Sequence, residues 1–567
     1  MRHNGEAVRN KEGVVVSMFR NTPEDIYALM LDLVKIGSFS ATAGEKVCVD
    51  RICEHLSSLS AFRKRPEDLR QVPLPGNPHG SAAVVALVRA EPPTNRTVIL
   101  EGHFDVVDIE VYGPLKDVAL DPEACTRRMG EMPLPEEARA DLDSGNYLFG
   151  RGVMDMKFGI AMAMALLAEA SENPGTFGVN LMLVAVPDEE NNSAGMRAAA
   201  GALARSQEEG LDLVGCIMVE PSDPGYTGGN GRVVSFGAVG KIMPFVLVMG
   251  KEAHGSEYFD GINANLAMAH LNLLLEGNPD LADVGGEENY PPMVCLKQKD
   301  LREAYSITLP ERAVAYYSLI TIRHTPESLL AEVDKAAAEA LRRTAKHLDR
   351  SKAVFAERAH LPAWPPTPTG RVVRYASLLE RAEAVFKGDL ETHLAAFLAG
   401  LPGSMDEREK GIALVNEVLT ISGEKGPLAV TGFMPPFYPH RTNFRSSEKE
   451  KAFAAVGEAV VEEARERFGE TLHKNEHFGG ISDLSYLGFQ GNPAELEALR
   501  KNLPGWGTLY DLPVKDLLDL DIPALNIGPS GKDAHKMTER IELGYSLNVA
   551  PKLLRSAVRM LGARKEH

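Results

Sequence analysis

Apolar positions in the first part of the chain come alternately at helical spacing and in short continuous runs. Ile26, Leu29, Met30, Leu33 and Val34 follow Thr22-Pro23-Glu24-Asp25, where a hydroxyl N-cap, a first-turn proline and two acids open a helix that Gly37 closes. A second helix is predicted over 44–59. Apolar runs rich in β-formers at 82–88 and 97–100 then predict strands, the latter leading into Glu101-Gly102-His103-Phe104-Asp105. A polar, proline-containing insert over 112–146 follows, and then a small-residue helix over 158–169. Residues 179–186 read as a buried strand ending in Pro187-Asp188-Glu189-Glu190. A helix over 194–207 and a strand over 213–219 come next, the strand ending in Glu220-Pro221-Ser222. Strands alternating with helices of this length predict an α/β fold, a mostly parallel sheet flanked by helices.

The texture changes at Gly228-Gly229-Asn230-Gly231, which reads as a hinge because no phosphate-binding glycine pattern surrounds it. A strand-like stretch over 233–249, a helix over 263–275, a strand over 313–322, a helix over 327–347 and a last strand over 428–433 predict a smaller α+β domain. The proline-punctuated, mostly helical stretch 349–425 reads as an insertion within it. A long helix over 448–468, a strand over 522–527 ending in Gly528-Pro529-Ser530-Gly531-Lys532-Asp533-Ala534-His535, and a closing helix over 544–561 return the chain to the first domain. The expected organisation is therefore 1–228 and 441–567 around an inserted 229–440.

Composition narrows the function classes. A chain of 567 residues exceeds one simple core. Its formal charge of −18 argues against nucleic acid or an anionic membrane as the main partner. No apolar run reaches the ~18 residues of a membrane span, and residues 1–20 mix charges as no signal peptide does. Cys48, Cys53, Cys125, Cys216 and Cys295 are scattered without a C-x-x-C pair, which predicts a reduced, cytoplasmic protein rather than a disulfide or zinc-finger framework.

His103, Asp105, Glu189, Glu190, Glu220 and His535 all lie just past the C-terminal end of an apolar strand, and Asp155 lies at the mouth of a helix. In an open α/β sheet those strand ends share one edge, where ligands bind. Read singly, each residue has an ordinary explanation: Asp155 is a helix N-cap, a lone histidine a loop residue, Asp-Glu-Glu a solvated turn. Together they bring imidazoles and carboxylates into one cleft, a mixed N/O donor set that suits zinc or a similar divalent ion. Two ions need a shared ligand, and a carboxylate can bridge metals ~3.5–4 Å apart.

The segments Gly102-His103-Phe104-Asp105, Gly150-Arg151-Gly152-Val153-Met154-Asp155-Met156-Lys157, Pro187-Asp188-Glu189-Glu190 and Ala534-His535 resemble the signature of a dizinc metallohydrolase family. That family contains aminoacylase, acetylornithine deacetylase, succinyl-diaminopimelate desuccinylase and related carboxypeptidases. Within it, the large size and extra segments resemble the RocB-type arginine-utilisation proteins. The resemblance implies a dizinc exopeptidase-like fold with an inserted lid that also dimerises. It implies two divalent ions, zinc first, with cobalt or manganese as alternatives. Asp155 would bridge them, His103 and Glu220 would complete one site, and Glu190 and His535 the other. Asp105 would hydrogen-bond His103 and fix its tautomer. Glu189 would be the general base toward the attacking water.

In the lid, Gly250-Lys251-Glu252-Ala253-His254 and Gly261-Ile262-Asn263-Ala264 match family segments. They imply that His254 donates to the oxyanion, typically across a homodimer, and that Asn263 contacts substrate. Arg323 matches an arginine used for a substrate carboxylate, although a surface ion pair explains it equally well. His473 and His477 could pair on one helix face, but the ligand set is complete without them. Gly480-Ile481-Ser482-Asp483 resembles a turn near the cleft. Two departures stand out: Met156 follows the bridging aspartate where many members carry a polar residue, and the inserts after Asp105 and around 349–425 are larger than usual.

The sequence thus predicts a metal-dependent amidohydrolase or exopeptidase acting on an N-acyl amino acid or short peptide. A place in arginine or amino-acid catabolism is implied by the resemblance alone. The rival is a catalytically silent member of the same fold that binds a small metabolite or protein partner. A cofactor-dependent oxidoreductase lacks its glycine-rich fingerprint.

Overall fold

The computed structural model describes residues 7–9, 15–17, 19–223, 231–285 and 288–563; residues 228–230 of the expected hinge lie outside them. The chain forms two compact units, one of 1–239, 440–490 and 513–567, the other of 240–439 and 491–512.

The first unit is built on an eight-stranded sheet. In chain order its strands are β1 (Leu69–Pro73), β2 (Ala82–Val88), β3 (Arg96–His103), β4 (Asn180–Val186), β5 (Asp212–Met218), β6 (Val233–Ser235), β7 (His473–Asn475) and β8 (Ala524–Asn526). Their spatial order is β7-β6-β8-β5-β3-β4-β2-β1. The central four, β8, β5, β3 and β4, run parallel. Their C-terminal ends therefore meet on one edge.

Helices α1 (Pro23–Val34), α2 (Ala43–Ser57), α3 (Lys157–Glu172), α4 (Ala194–Glu208), α5 (Glu448–Glu463) and α6 (Ala550–Ala563) cover this sheet. Val98 and Leu100 of β3 share a core with side chains of α1, α2, α3, α5 and α6. Because side chains alternate along a strand, Ile99, Glu101 and His103 face the other way. On α3 only Glu169 and Glu172 escape burial, so the helix has no polar face and its sequence shows small apolar residues rather than a stripe. It approaches the end of β5 so closely that a Cβ at Gly159 would stand 2.2 Å from the Val219 carbonyl oxygen. At its start, the buried Lys157 donates from Nζ to the Leu33 and Ile36 carbonyls at 3.0 and 2.7 Å, satisfying the end of α1.

The insert after Asp105 is not a bare polar loop. It forms helices Pro122–Met129 and Glu136–Ser144 over a small core that includes Tyr112, Leu115, Cys125, Met129 and Phe149. Its strand Tyr147–Phe149 pairs with Arg540–Glu542, which pairs in turn with Gly531–Lys532, so the insert and the loop that bears His535 share a three-stranded sheet.

The second unit holds a six-stranded sheet, antiparallel except where Arg371–Arg374 pairs parallel with Leu428–Phe433. The stretch read as one strand over 233–249 is divided: β6 belongs to the first sheet, while Gly240–Ile242 and Pro244–Met249 belong to the second. The helix expected over 327–347 runs from Pro326 to Ala359, because Ala345, Leu348, Lys352 and Ala356 continue its buried stripe. Residues 371–374 thus give the expected insertion a place in the sheet itself. Residues 491–512, expected with the first domain, lie in the second unit; their helix Pro493–Asn502 packs on Pro326–Ala359 and on strand Leu428–Phe433, and the Asn502 side-chain oxygen accepts from the Ala376 amide at 3.1 Å.

Among the described residues no helix is long and apolar enough to cross a membrane. All five cysteines are free thiols.

Candidate metal centre

His103 ends β3 and points its Nδ1 at the Asp105 carbonyl oxygen 3.1 Å away. A carbonyl only accepts, so this contact takes the Nδ1 proton. Nε2 then faces Asp155 Oδ1 at 3.1 Å and Glu220 Oε1 at 3.2 Å, both acceptors. A proton on Nε2 satisfies one of these contacts, whereas a cation between them engages all three atoms. On the other side of Asp155, Oδ2 lies 3.3 Å from His535 Nε2, which is also 2.9 Å from Glu190 Oε1. Asp155 therefore offers one oxygen to each imidazole, and each imidazole has a further carboxylate of its own. Donor atoms ~2.0–2.1 Å from a tetrahedral ion stand about 3.3 Å from one another, close to all four of these separations. Donor atoms of His103, Asp155 and Glu190 also lie within 4.8 Å of one another.

The charges converge on the same need. Asp105, Asp155, Glu189, Glu190, Glu220, Glu101 and Asp483 surround the two imidazoles, and among the described residues no lysine or arginine pairs with any of them. Burial pushes Glu220 up to about 7 against the pull of His103, and raises Glu190 with help from Asp155. Burial works upward on Asp155 too, yet the bonds from His103 and His535 hold it well below the usual carboxylate range. Hydrogen bonds to Asp155 and Glu190 push His535 up to about 10. Burial works against the charged form of His103, but Glu220, Asp105 and Asp155 outweigh it and raise the ring well above its ordinary value. The imidazoles thus hold protons where a divalent cation fits the donor set.

Backbone geometry at the ligands is unusual and well supported. Asp155 is not the N-cap of α3; that position is Met156, which makes no side-chain cap bond. The peptide between them is cis. Asp188, Asp533 and His535 are non-glycine residues with φ of 66°, 62° and 66°. Each such residue costs of order 1–3 kcal/mol and persists where its surroundings over-determine it. Asp188 accepts from the Ala194 amide at 3.1 Å, and Asp533 accepts from Thr538 and Arg540. The preceding loop passes so near Glu220 that a Cβ at Gly528 would lie 2.0 Å from its carbonyl oxygen.

Glu189 lies beside the ligands, its Oε2 3.9 Å from His103 Nε2, and burial raises its carboxyl well above the ordinary range. Asp105 does more than flank His103. Its Oδ1 accepts from the Glu189 amide at 3.1 Å, and its Oδ2 accepts from the Glu190 amide at 3.3 Å and from the Ser40 hydroxyl at 2.7 Å. Its carboxylate is the farther acceptor for the imidazole, 3.5 Å from Nδ1.

His254, Asn263 and Arg323 belong to the second unit. His254 Nδ1 accepts from the Ser256 amide at 3.2 Å and lies 2.6 Å from the Ser256 hydroxyl, so the ring's contacts with Ser256 are made through Nδ1. Asn263 is the N-cap of helix Ala264–Leu275, its side-chain oxygen accepting from Asn265 at 2.9 Å. Arg323 is exposed, and Asp283 fixes its backbone by accepting the amides of Ile322, Arg323 and His324. His473 and His477 do not share a helix. His473 begins β7, and His477 Nε2 lies 2.9 Å from the Thr442 hydroxyl.

Sequence reasoning assigned no part to Glu101, Arg151 or Glu539. Glu101, 1 % exposed, has neither carboxylate oxygen partnered among the described residues. Its signal was there: a carboxylate two residues before His103 on a buried strand shares the histidine's face. Arg151 and Glu539 form a buried ion pair between the loops that carry Asp155 and His535.

A family model described as peptidase family M20/M25/M40 matches residues 99–499. The chain is similar to the uncharacterised protein YqjN of Bacillus subtilis, 34 % identical over 549 residues that cover 96 % of this chain and 98 % of YqjN. It is also similar to protein RocB of the same organism, 29 % identical over 94 % of each chain. Among solved structures, an M20 family metallo-carboxypeptidase from Sulfolobus solfataricus shares the fold with a TM-score of 0.52 and 12 % identity, over 95 % of this chain and 100 % of that one.

Proposed function

The chain belongs to peptidase family M20/M25/M40, and from that premise we propose that it is a two-cation amidohydrolase or exopeptidase that cleaves an amide bond of an N-acyl amino acid or a short peptide. The observation that carries this reading is Asp155, whose two oxygens face two imidazoles that each have a second carboxylate. His103 and Glu220 would hold one cation, Glu190 and His535 the other, and Asp155 both. Zinc suits this donor set best, with cobalt and manganese as alternatives. When bound, such cations supply Lewis acidity toward a substrate carbonyl and toward water.

The side chains do the rest. Glu189 is free of the ligand set, and its buried Oε2 is the acceptor for a water proton, which the same carboxyl then delivers to the leaving nitrogen. Asp105 keeps that carboxylate in place through the amides of Glu189 and Glu190. From the second unit, His254 Nε2 is a donor suited to the oxyanion, typically across a homodimer, and the Arg323 guanidinium suits a substrate carboxylate. Asn263 holds the start of its helix and reaches substrate only if it can keep that cap. Free thiols support a cytoplasmic location. The resemblance to RocB-type proteins makes arginine derivatives the first substrates to try.

The test is hydrolysis of a panel of N-acyl amino acids and dipeptides by the purified chain. Turnover that a chelator abolishes and zinc restores is the expected result. Absence of turnover across the panel with both cations bound would contradict the reading.

A further inference from the structure

Two ligands proposed above sit on loops far apart in sequence, Asp155 after Gly150 and His535 after Gly528. One buried ion pair joins them. The Arg151 guanidinium donates to Glu539 and, from its other end, to the backbone carbonyl oxygen of His535 at 3.0 Å. The second oxygen of Glu539 accepts from the Gly152 amide at 2.7 Å, inside the loop that leads to Asp155. Arg151 also donates from Nε to the Asp108 carbonyl at 3.2 Å, and its guanidinium lies 5.4 Å from the Tyr112 ring. Arg151 is 1 % exposed and Glu539 fully buried, so water does not compete for these bonds.

The pair bonds to the His535 carbonyl and to the Gly152 amide, so it ties together the two loops whose side chains meet at Asp155 Oδ2 and His535 Nε2. It makes no comparable contact with His103 or Glu220. His535 has φ of 66°, a conformation that its own chain does not favour, and Arg151 holds the carbonyl of that residue. A lysine at 151 would keep the charge but could not reach Glu539, His535 and Asp108 together, because it lacks the planar fork.

We propose that Arg151 and Glu539 are positioning residues that set cation affinity at the Glu190–His535 half of the centre, leaving the His103–Glu220 half to other supports. The proposal rests on the two-cation reading. Partners that orient metal ligands typically change affinity about 10–100-fold when lost.

The experiment is calorimetric titration of the cation-free full chain with Zn2+, repeated with Co2+ and read by visible absorption. His535→Ala identifies the step that belongs to its half of the centre. The double variant R151M/E539Q removes the pair without stranding a buried charge. The expected result is that the step lost in His535→Ala weakens about 10–100-fold while the other step keeps its wild-type affinity. R151K is expected to weaken the same step to a smaller extent. Two unchanged steps, or equal weakening of both, would overturn the proposal. If the double variant does not fold, R151K decides, and an unchanged His535 step overturns it. A wild-type chain that takes up fewer than two cations removes the two-cation reading itself, an outcome distinct from wild-type uptake of two with an insensitive variant.

Discussion

The Asp105 carboxylate accepts the Glu189 backbone amide at 3.1 Å, so the residue that flanks the His103 imidazole also fixes the turn carrying the proposed base. Ser40 and the Glu190 amide occupy its other oxygen. The two backbone amides require an acceptor on each oxygen, and Asp105→Asn replaces one of those oxygens by a donor. The expected outcome is a chain that folds but binds cations about 10–100-fold more weakly, measured by equilibrium dialysis, with turnover falling further than the loss of cation explains.

Glu189 is placed beside the donor set without belonging to it. Glu189→Gln is therefore expected to keep both cations and to lose about 10²–10⁴ in turnover. Elemental analysis of the same preparation used for kinetics separates the two effects. Unchanged turnover would remove Glu189 as the base.

His535 carries the clearest pH signature. Its folded value of about 10 lies above its ordinary 6.5, through bonds to Asp155 and Glu190. In the cation-free chain this contribution to stability is fully present below about pH 6.5 and is lost as pH rises through about 10. A cation must displace that proton. Binding at the His535 half is therefore expected to release close to one proton at neutral pH and to tighten as pH rises. Titrations in two buffers of different ionisation enthalpy measure the proton directly.

Much of the site was legible in the sequence, because six of the seven central residues end or follow apolar runs that the fold turns into parallel strands. What escaped was set by long-range contacts. Taken alone Asp155 reads as a helix cap and only the company of the other residues makes it a shared ligand; the structure places it one residue before the cap, between two imidazoles. The pairing of Arg151 with Glu539 spans most of the chain, and neither residue follows a strand of the large parallel sheet. His473 and His477 read as helical neighbours, but β7 is three residues long and takes its conformation from parallel pairing with β6. Residues 491–512 carry a good helix pattern that says nothing about which core receives it.

Buried polar groups outside the donor set give two stability predictions. Lys157 donates to the Leu33 and Ile36 carbonyls at the end of α1 with no exposed surface. Lys157→Met leaves both acceptors without it and is expected to cost about 1–3 kcal/mol, read as a lower denaturant midpoint.

Glu45 is pushed up to about 8 by burial, with Asp105 adding to it. One of its oxygens accepts from Ala41 at 3.1 Å, and that bond and the buried Ser81 hydroxyl work against the rise without cancelling it. Its neutral form favours folding, so the chain loses stability from this group as pH rises from about 4.5 through 8. Glu45→Gln is expected to raise the melting temperature at pH 8–9 and to leave it nearly unchanged at pH 5.

The most direct measurement is the number of zinc ions held per chain after equilibrium dialysis, for the wild type and for Asp155→Asn. Two per wild-type chain, with both lost or greatly weakened in the variant, is the expected result, because Asp155 presents one oxygen to each half of the centre. No zinc on the wild type, or two retained with unchanged affinity when Asp155 is replaced, would contradict a shared two-cation centre.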